Sequence, residues 1–333
     1  AASDVYKRQD ILYGEMTSAD QNISVELKHL RSMFSFKPKV KFQTTVATGQ
    51  NEYYDIQVPD IKFYDGSAEI QCFKTSEGEY RYILDSDKTI TWTYEYNGIV
   101  YEGSKALSSV SEGTKYSVIE YHNLGVYNET KARVGDFYCC SSDNNTGYIL
   151  PKEYDLASSN THTCIGIVFH VGTGNGDDKK NYPEPILTNG IRGYAVALND
   201  AGSFEWAKTK ELGEAAITNS DENLFNGYSN TEFVKGKTII DYPAFEKCVN
   251  FQPSVSGCSG WYLPSAAQLK AVYPINSLLS NPLDSWYWSS TQKIDNSVII
   301  GEKAVLMDFS SSNSGLSFIE KIYQFNVRPI LTF

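Results

Sequence analysis

Alternating hydrophobic and polar residues recur along the first 125 positions and predict β-strands. The clearest run is Thr89–Tyr96 (TITWTYEY), in which every second residue is Ile, Trp or Tyr, the period of two that a half-buried strand shows. Asn97-Gly98 follows at once and precedes Ile99–Tyr101. Asn-Gly between two such runs favours a tight hairpin, because both turn residues take positive φ. Short strands separated by turn signals at intervals of roughly 8–12 residues indicate an all-β sandwich. Further predicted strands are Ile23–Leu27, Lys39–Val46, Asp60–Phe63, Ala68–Cys72, Tyr80–Leu84 and Tyr116–Tyr121.

The pattern changes in the polar, non-periodic segment from His122 to Val134, where we place a domain boundary. The first domain then spans residues 10–125 and the second spans residues 126–333. In the second domain Cys164–Phe169 (CIGIVF) is a continuous apolar run, which predicts a strand covered on both faces, and Gly193–Leu198 (GYAVAL) is expected to be its neighbour.

Two short helices and three late strands complete the predicted second domain. Asp241–Phe251 predicts a helix with Asp241 as N-cap and Pro243 in the first turn. Another helix begins at Ser265, which forms a capping box with Gln268. The late strands are Trp286–Ser289, Ala304–Phe309 and Phe325–Phe333. Helices beside a largely antiparallel sheet predict an α+β domain.

Composition and net charge limit the classes of molecule that this protein is expected to bind. The formal net charge is -11, which repels nucleic-acid phosphates and anionic lipid headgroups. Aromatic residues make up 14% of the chain, with 24 Tyr against 3 Met, and rings of this kind suit the pleated surface of a β-sheet. No stretch reaches the ~20 apolar residues needed to span a bilayer. We therefore expect no nucleic-acid partner and no membrane contact except through an anchor that precedes the chain.

The first nine residues, AASDVYKRQ, share no pattern with the rest of the chain. They resemble translated adapter sequence at the edge of a gene prediction. We therefore expect a non-native leader at residues 1–9 and a first domain that lacks one or more N-terminal strands.

Six cysteines are present, without the paired spacing of a zinc site. Cys248 and Cys258 flank a short segment rich in Pro, Ser and Gly, which suggests a disulfide between them. Cys139 and Cys140 are adjacent and cannot easily bond each other, so one of them can reach Cys164. Free buried thiols are the alternative for all of them.

No motif predicts catalysis. Gly172, Gly174 and Gly176 fit neither a dinucleotide fingerprint nor a P-loop, and the acidic pair Asp177-Asp178 that comes next would repel phosphate. The chain also lacks a nucleophile elbow or an activated cysteine. We therefore predict no enzyme activity, no catalytic residue, no cofactor and no metal.

Three segments carry a family resemblance: Gly260–Ser265 (GWYLPS), Trp286–Thr291 (WYWSST) and Val327–Phe333 (VRPILTF). In this order they resemble the C-type-lectin-like domain of Bacteroidales surface proteins, which is related to the Fibrobacter major-paralogous domain. The resemblance covers residues 126–333 and implies that fold. The sugar-binding calcium motifs of lectins do not match, because Glu184-Pro185 is followed by Ile186 and Asp308 is preceded by Met307.

The first half is similar to the N-terminal, transthyretin-like sandwich of fimbrillin-like proteins. The similarity lies in Asp10–Gly14 (DILYG), in the strand ending at Leu27–His29, and in Glu112–Tyr121. It implies an extracytoplasmic lipoprotein on the bacterial outer-membrane surface or in a fimbria, with a pilus tip or anchored adhesin as the function.

The loops between the late strands are the predicted ligand site, because loops on a rigid sheet carry specificity. We expect Asp308, Ser311, Asn313 and Asn296 to contact the ligand. The predicted function is a non-catalytic adhesin that binds a protein or glycan on another surface. One alternative is a structural pilus subunit that assembles with other subunits by strand exchange. Another is a lectin-like protein whose loops are diversified by a retroelement.

Overall fold

Strands account for most of the regular structure. The structure, a computed structural model, describes residues 31–47, 49–142, 145–158, 162–209, 221–293, 302–310 and 315–333, together with the backbone of two earlier strands. The predicted leader at residues 1–9 lies outside this part. The strands are β1 Leu12–Thr17, β2 Ser24–His29, β3 Ser32–Thr44, β4 Glu52–Asp55, β5 Lys62–Asp65, β6 Ala68–Ile70, β7 Phe73–Lys74, β8 Tyr80–Leu84, β9 Lys88–Tyr96, β10 Ile99–Leu107, β11 Lys115–Tyr127, β12 Phe137–Cys140, β13 Gly147–Leu150, β14 Thr163–Val171, β15 Gly193–Ala197, β16 Gly202–Glu205, β17 Trp286–Lys293, β18 Lys303–Asp308, β19 Leu316–Glu320, β20 Gln324–Val327 and β21 Ile330–Thr332. The α-helices are α1 Ile186–Asn189, α2 Gly227–Lys235, α3 Pro243–Val249 and α4 Ala266–Val272.

The chain divides into two compact units: residues 1–42 with 51–125, and residues 43–50 with 126–333. In the first unit β1 and β2 form a two-stranded sheet, and the two larger sheets have the orders β10-β9-β5-β6 and β11-β3-β8-β7, the latter with β4 paired to β3. The sheets face each other through aromatic rings, since Phe36 lies 5.4 Å from Phe63 and 4.8 Å from Trp92, measured between ring centroids. The alternation in the sequence is thus that of a two-layer β structure.

The β9–β10 hairpin confirms the clearest sequence prediction. Asn97 and Gly98 have φ values of 52° and 76°, the left-handed conformations that the turn requires. The register places Gly103 opposite Trp92. A Cβ atom on Gly103 would lie 2.5 Å from the indole ring, so only glycine lets this ring lie across β10.

The second unit contains two five-stranded sheets. Their orders are β13-β12-β14-β15-β21 and β16-β20-β17-β18-β19. The predicted pairing of the two apolar strands is confirmed, because β14 and β15 are antiparallel neighbours. Helices α2, α3 and α4 supply residues to two buried hydrophobic clusters, one around Tyr194 and Tyr262 and one around Trp206 and Trp288.

One predicted helix cap is confirmed and the other is wrong. Ser265 Oγ accepts a hydrogen bond from Gln268 N, and Ser265 N donates to Gln268 Oε1 at 2.8 Å, which is the capping box. Asp241 does not cap α3, because it belongs to a short 3₁₀ turn that ends one residue before the N-cap position, Tyr242. Its carboxylate instead lies 3.6 Å from Lys208 Nζ.

One of the two predicted disulfides is confirmed and the other is wrong. Cys139 on β12 and Cys164 on β14 are register partners and form a disulfide. Cys248 and Cys258 are free buried thiols, so the disulfide that we expected between them is wrong. Cys248 is buried with Trp206 and Phe245 in the cluster around α3, whereas the Cys258 thiol is directed to Val255 O at 3.5 Å. Burial raises the pKa of both thiols.

A buried arginine clamps two crossings between the sheets of the second unit. Arg328 lies between β20 of one sheet and β21 of the other, and its side chain is fully buried. Its Nε donates to Asp200 Oδ1 at 2.5 Å, and Asp200 lies between β15 and β16, where the chain crosses again. The remaining guanidinium bonds go to the carbonyls of Ala197, Leu198 and Asn281 at 3.0–3.1 Å.

A surface ion cluster joins two strands of the first unit. Glu79 lies just before β8, and its carboxylate is 2.6 Å from Lys115 Nζ on β11 and 2.5 Å from the Arg81 guanidinium on β8. Burial would raise the pKa of Glu79, but hydrogen bonds from Lys115, Arg81 and Ser35 outweigh it and hold that pKa at about 2.

Replacing Arg328 should destabilise the second unit strongly. Arg328→Met removes the guanidinium donor from Asp200 Oδ1 and from three carbonyls. We therefore expect the free energy of unfolding to fall by about 3–5 kcal/mol in denaturant titrations. The exposed Arg192 is a matched control, and Arg192→Met should change this free energy by less than about 0.5 kcal/mol. Equal effects of the two substitutions would contradict the clamp.

The Glu79 cluster should make stability depend on pH. At pH 7 we expect Glu79→Gln to lower the free energy of unfolding by about 1–2 kcal/mol, because charged hydrogen bonds are lost. A depressed folded-state pKa contributes stability above the unfolded pKa of about 4.3 and loses it as the pH falls to about 2. The wild-type advantage should therefore disappear over that window in acid-titrated unfolding curves. Glu77→Gln, at an exposed neighbouring carboxylate, should show no such window.

Candidate functional site

Of the four predicted ligand residues, Asp308 lies in the described part of the chain. It ends β18, and its Oδ1 accepts hydrogen bonds from Ser310 N at 2.8 Å and Ser310 Oγ at 2.6 Å. Ser311, Asn313 and Asn296 lie outside the described residues. One oxygen of the Asp308 carboxylate is thus already occupied by hydrogen bonds within its own turn.

The strand register separates the described residues that flank the two predicted loops. Strands β17 and β18 are antiparallel, with Trp286 opposite Asp308 at one end and Lys293 opposite Lys303 at the other. The chain segment with Asn296 begins after Lys293, whereas the segment with Ser311 and Asn313 begins after Phe309. At about 3.4 Å per residue, the ends of β18 are roughly 17 Å apart. The described residues Lys293 and Asp308, which adjoin the two predicted loops, therefore lie at opposite ends of the β17–β18 pair.

The glycine-rich segment after β14 is held in place by hydrogen bonds with two tyrosine hydroxyls. Asp177 Oδ2 accepts hydrogen bonds from Tyr182 at 2.6 Å and from Tyr194 at 2.7 Å. Gly174 N donates to the same Tyr194 hydroxyl at 3.0 Å, and a Cβ on Gly174 would collide with Phe225. Burial raises the pKa of Asp177, and the tyrosine hydrogen bonds oppose that rise. Gly174 therefore serves close packing, and the Asp177 carboxylate faces inward.

A shallow depression on a different surface is a second candidate for a ligand site. On the first unit, strands β5, β9 and β10 enclose a shallow depression of about 440 Å³. Cross-strand pairs place Tyr64 opposite Thr91, Thr91 opposite Ser104, and Thr93 opposite Glu102. These residues alternate along their strands with buried Phe63, Ile90, Trp92 and Tyr94, so they lie on the outward face. Small hydroxyl side chains form the centre, between Tyr64 on one side and Glu102 on the other.

The outward side chains of the depression are available for binding. Tyr64, Thr91, Thr93, Glu102 and Ser104 make no side-chain hydrogen bond or ion pair with any other residue that the structure describes. Four hydroxyls can each donate and accept, and the carboxylate accepts. A ligand that offers both donors and acceptors would match this set, whereas an apolar ligand would leave it unsatisfied.

Sequence reasoning identified the strand but missed this surface. Thr91 and Thr93 were visible as the polar side of the TITWTYEY alternation. The partners Tyr64 and Glu102 lie 38 positions apart in the sequence, and only the strand register brings them together. A polar strand face rich in Thr and Ser was the available signal.

Two further properties bear on function. Within the described ranges no group of three or more His, Cys, Asp or Glu side chains is placed to hold a metal ion. Among the residues with assigned structure, no helix combines the length and apolar character needed to cross a membrane.

Comparison with known proteins gives similarity to fimbrial proteins. No protein-family model matches the sequence. The chain is 24% identical over 369 aligned residues to "Putative fimbrium tip subunit Fim1C" of Bacteroides ovatus, covering 89% of this chain and 66% of that protein. The crystal structure of a fimbrial protein from Bacteroides ovatus is 19% identical, covers 99% of this chain and 77% of that chain, and has a TM-score of 0.45. Over most of its length the chain is therefore similar to a protein named as a fimbrium tip subunit, and it spans about two thirds of that relative.

Proposed function

We propose that this protein is a non-catalytic, extracytoplasmic subunit of a bacterial surface fimbria, and that it binds a ligand on another surface. The observation that supports ligand binding is the depression on β5, β9 and β10. Its five polar side chains have no partner among the described residues. The similarity to a fimbrium tip subunit supports the fimbrial setting. An anchor to the outer membrane would precede the described residues.

A neutral glycan is the ligand class that fits the depression. Its outward lining carries hydroxyls and one carboxylate, which suits a polyhydroxylated ligand. Glu102 and the net charge of -11 oppose anions. The Tyr64 ring offers a face for a sugar ring, and the volume of about 440 Å³ is in the usual range for small ligands.

The second unit could contribute a separate contact. We propose, from the three motifs in residues 260–333, that it is a C-type-lectin-like domain, with Asp308, Ser311, Asn313 and Asn296 as ligand residues in its late loops. If a retroelement diversifies the protein, these loops are where variation would accumulate. Contact through them would bind a protein surface, because no calcium motif is present in the sequence for a sugar.

A structural role is the second candidate, and the edge strands of the first unit favour it. Strands β10 and β11 each end one of its sheets. Ile99 and Val100 on β10 are 56% and 63% exposed, and Ile119 and Tyr121 on β11 are also exposed. Such edges present free backbone groups to another strand. A subunit that assembles by strand exchange with other pilus subunits would use them.

Binding can be tested with the full chain on an array of neutral glycans and host-matrix proteins, with and without calcium. We expect glycan binding, and we expect Glu102→Gln and Thr93→Val each to weaken it about tenfold or more, because each loss of a charged or buried hydrogen bond costs roughly 1.5 kcal/mol. Thr89→Val is the matched control, since Thr89 is exposed on the same strand outside the depression.

The other outcomes separate the alternatives. Loss of binding in Asp308→Asn, with Glu102→Gln unchanged, would move the site to the late loops. A folded chain that binds nothing on the array, but whose assembly into fibres is blocked by Val100→Lys, would establish the structural subunit instead.

A further inference from the structure

A buried polar cluster lies between the two sheets of the first unit. His122 on β11 is 6% exposed, and its Nε2 is 2.7 Å from the Tyr94 hydroxyl on β9. That hydroxyl is 3.0 Å from Glu120 Oε2, which also accepts a hydrogen bond from Trp92 Nε1 at 2.8 Å. Since β9 and β11 belong to different sheets, this chain of bonds ties one sheet to the other.

The hydrogen-bond directions fix the state of the histidine. Tyr94 has one hydroxyl proton, and the Glu120 carboxylate can only accept, so Tyr94 donates to Glu120. Burial and the Glu120 charge raise the pKa of Tyr94 and keep that proton in place. The contact with His122 is then an Nε2–H donating to the tyrosine oxygen. A neutral ring with its proton on Nε2 leaves Nδ1 as a bare acceptor.

A proton added to Nδ1 would find no hydrogen-bond acceptor among the described residues. The Nδ1 atom is buried and has no hydrogen-bond partner among the described residues. Tyr101 on β10 lies edge-on to the imidazole at 4.1 Å between centroids, and Tyr96 on β9 lies at 5.2 Å. The titratable groups that face His122 are therefore Tyr94 and Tyr96 from β9, Tyr101 from β10, and Glu120 from its own strand.

We propose that His122 is an acid-sensitive latch between the two sheets of the first unit. When the His122 ring is neutral, the hydrogen bonds that His122 and Glu120 make with Tyr94 hold the two sheets together. Protonation adds a buried N–H donor that has no acceptor among the described residues and a buried charge, both of which favour separation of β11 from β9 and β10. Glu120 opposes this only in part, because its Oε2 already accepts from Trp92 and Tyr94.

The direction of the pH effect is set by burial. Desolvation lowers the pKa of His122, and the Glu120 charge raises it by less. A histidine whose folded pKa is depressed contributes its full stability above the unfolded pKa of about 6.5 and loses it as the pH falls below that value. The latch therefore releases on acidification and closes at neutral pH.

Hydrogen exchange of the full chain at about pH 7.5 and about pH 5.0, corrected for intrinsic rates, tests the latch. We expect peptides from β9, β10 and β11 to lose protection about tenfold more than peptides from β18 of the second unit, which contains no histidine. His122→Gln keeps an N–H donor toward Tyr94 and does not titrate, so its β9–β11 peptides should be insensitive to this pH change. His170→Gln, at a histidine of the second unit, should leave the wild-type response of β9–β11 intact.

The proposal is overturned if His122→Gln shows the same acid response as the wild type, or if the wild type shows none. Should the variant fail to fold, ¹⁵N imidazole resonances of the wild-type chain decide. We expect the Nε2–H tautomer and a His122 pKa below that of a free histidine. An Nδ1–H tautomer, or a pKa at or above the free value, would overturn the latch.

Discussion

The guanidinium of Arg328 is a permanent charge with five N–H donors and no exposure to solvent, so the chain around it must supply acceptors. Those acceptors come largely from the first of the two places where the chain leaves one sheet of the second unit for the other. Asp200 and the carbonyls of Ala197 and Leu198 lie at the first crossing, and Arg328 itself lies at the second. Tyr287 donates to the remaining Asp200 oxygen at 3.0 Å and brings β17 into the same network. One buried cation, which is costly to leave unsatisfied, thus links both places where the chain passes between the two five-stranded sheets.

The two units solve the problem of joining sheets in different ways. In the second unit a charged network fixes the crossings, and the hydrophobic clusters fill the space around it. In the first unit the facing sheets meet through rings such as Phe36, Phe63 and Trp92, and Gly103 provides the room that the indole needs. Packing of this kind tolerates few changes of volume, because protein interiors are as dense as crystals.

Local signals in the sequence were sufficient for local structure. Strand β9, its Asn-Gly turn and the Ser265 capping box were predictable because each depends on neighbours a few positions apart. Asp241 failed as a cap because a competing 3₁₀ turn used it, and helices α1 and α2 carried no cap or strong periodicity to identify them.

Contacts between residues that are far apart in the sequence could not be predicted from the spacing of those residues. The expected Cys248–Cys258 bond is wrong, and the register of β12 and β14 decides that Cys139, rather than Cys140, bonds Cys164. The same limit applies to function, since Asp308 could be proposed from its loop, whereas the depression around Thr93 exists only after three strands are aligned.

The strict alternation of β9 and β10 has a consequence for how the first unit could respond to its surroundings. Thr93 and Glu102 face outward, and their chain neighbours Tyr94 and Tyr101 face inward toward His122. Both faces share one backbone, so a proton taken up inside and a molecule held outside act on the same pair of strands. Linkage makes that coupling reciprocal. Any molecule that requires the strands in register would make His122 harder to protonate, and acid would weaken its hold by the same factor.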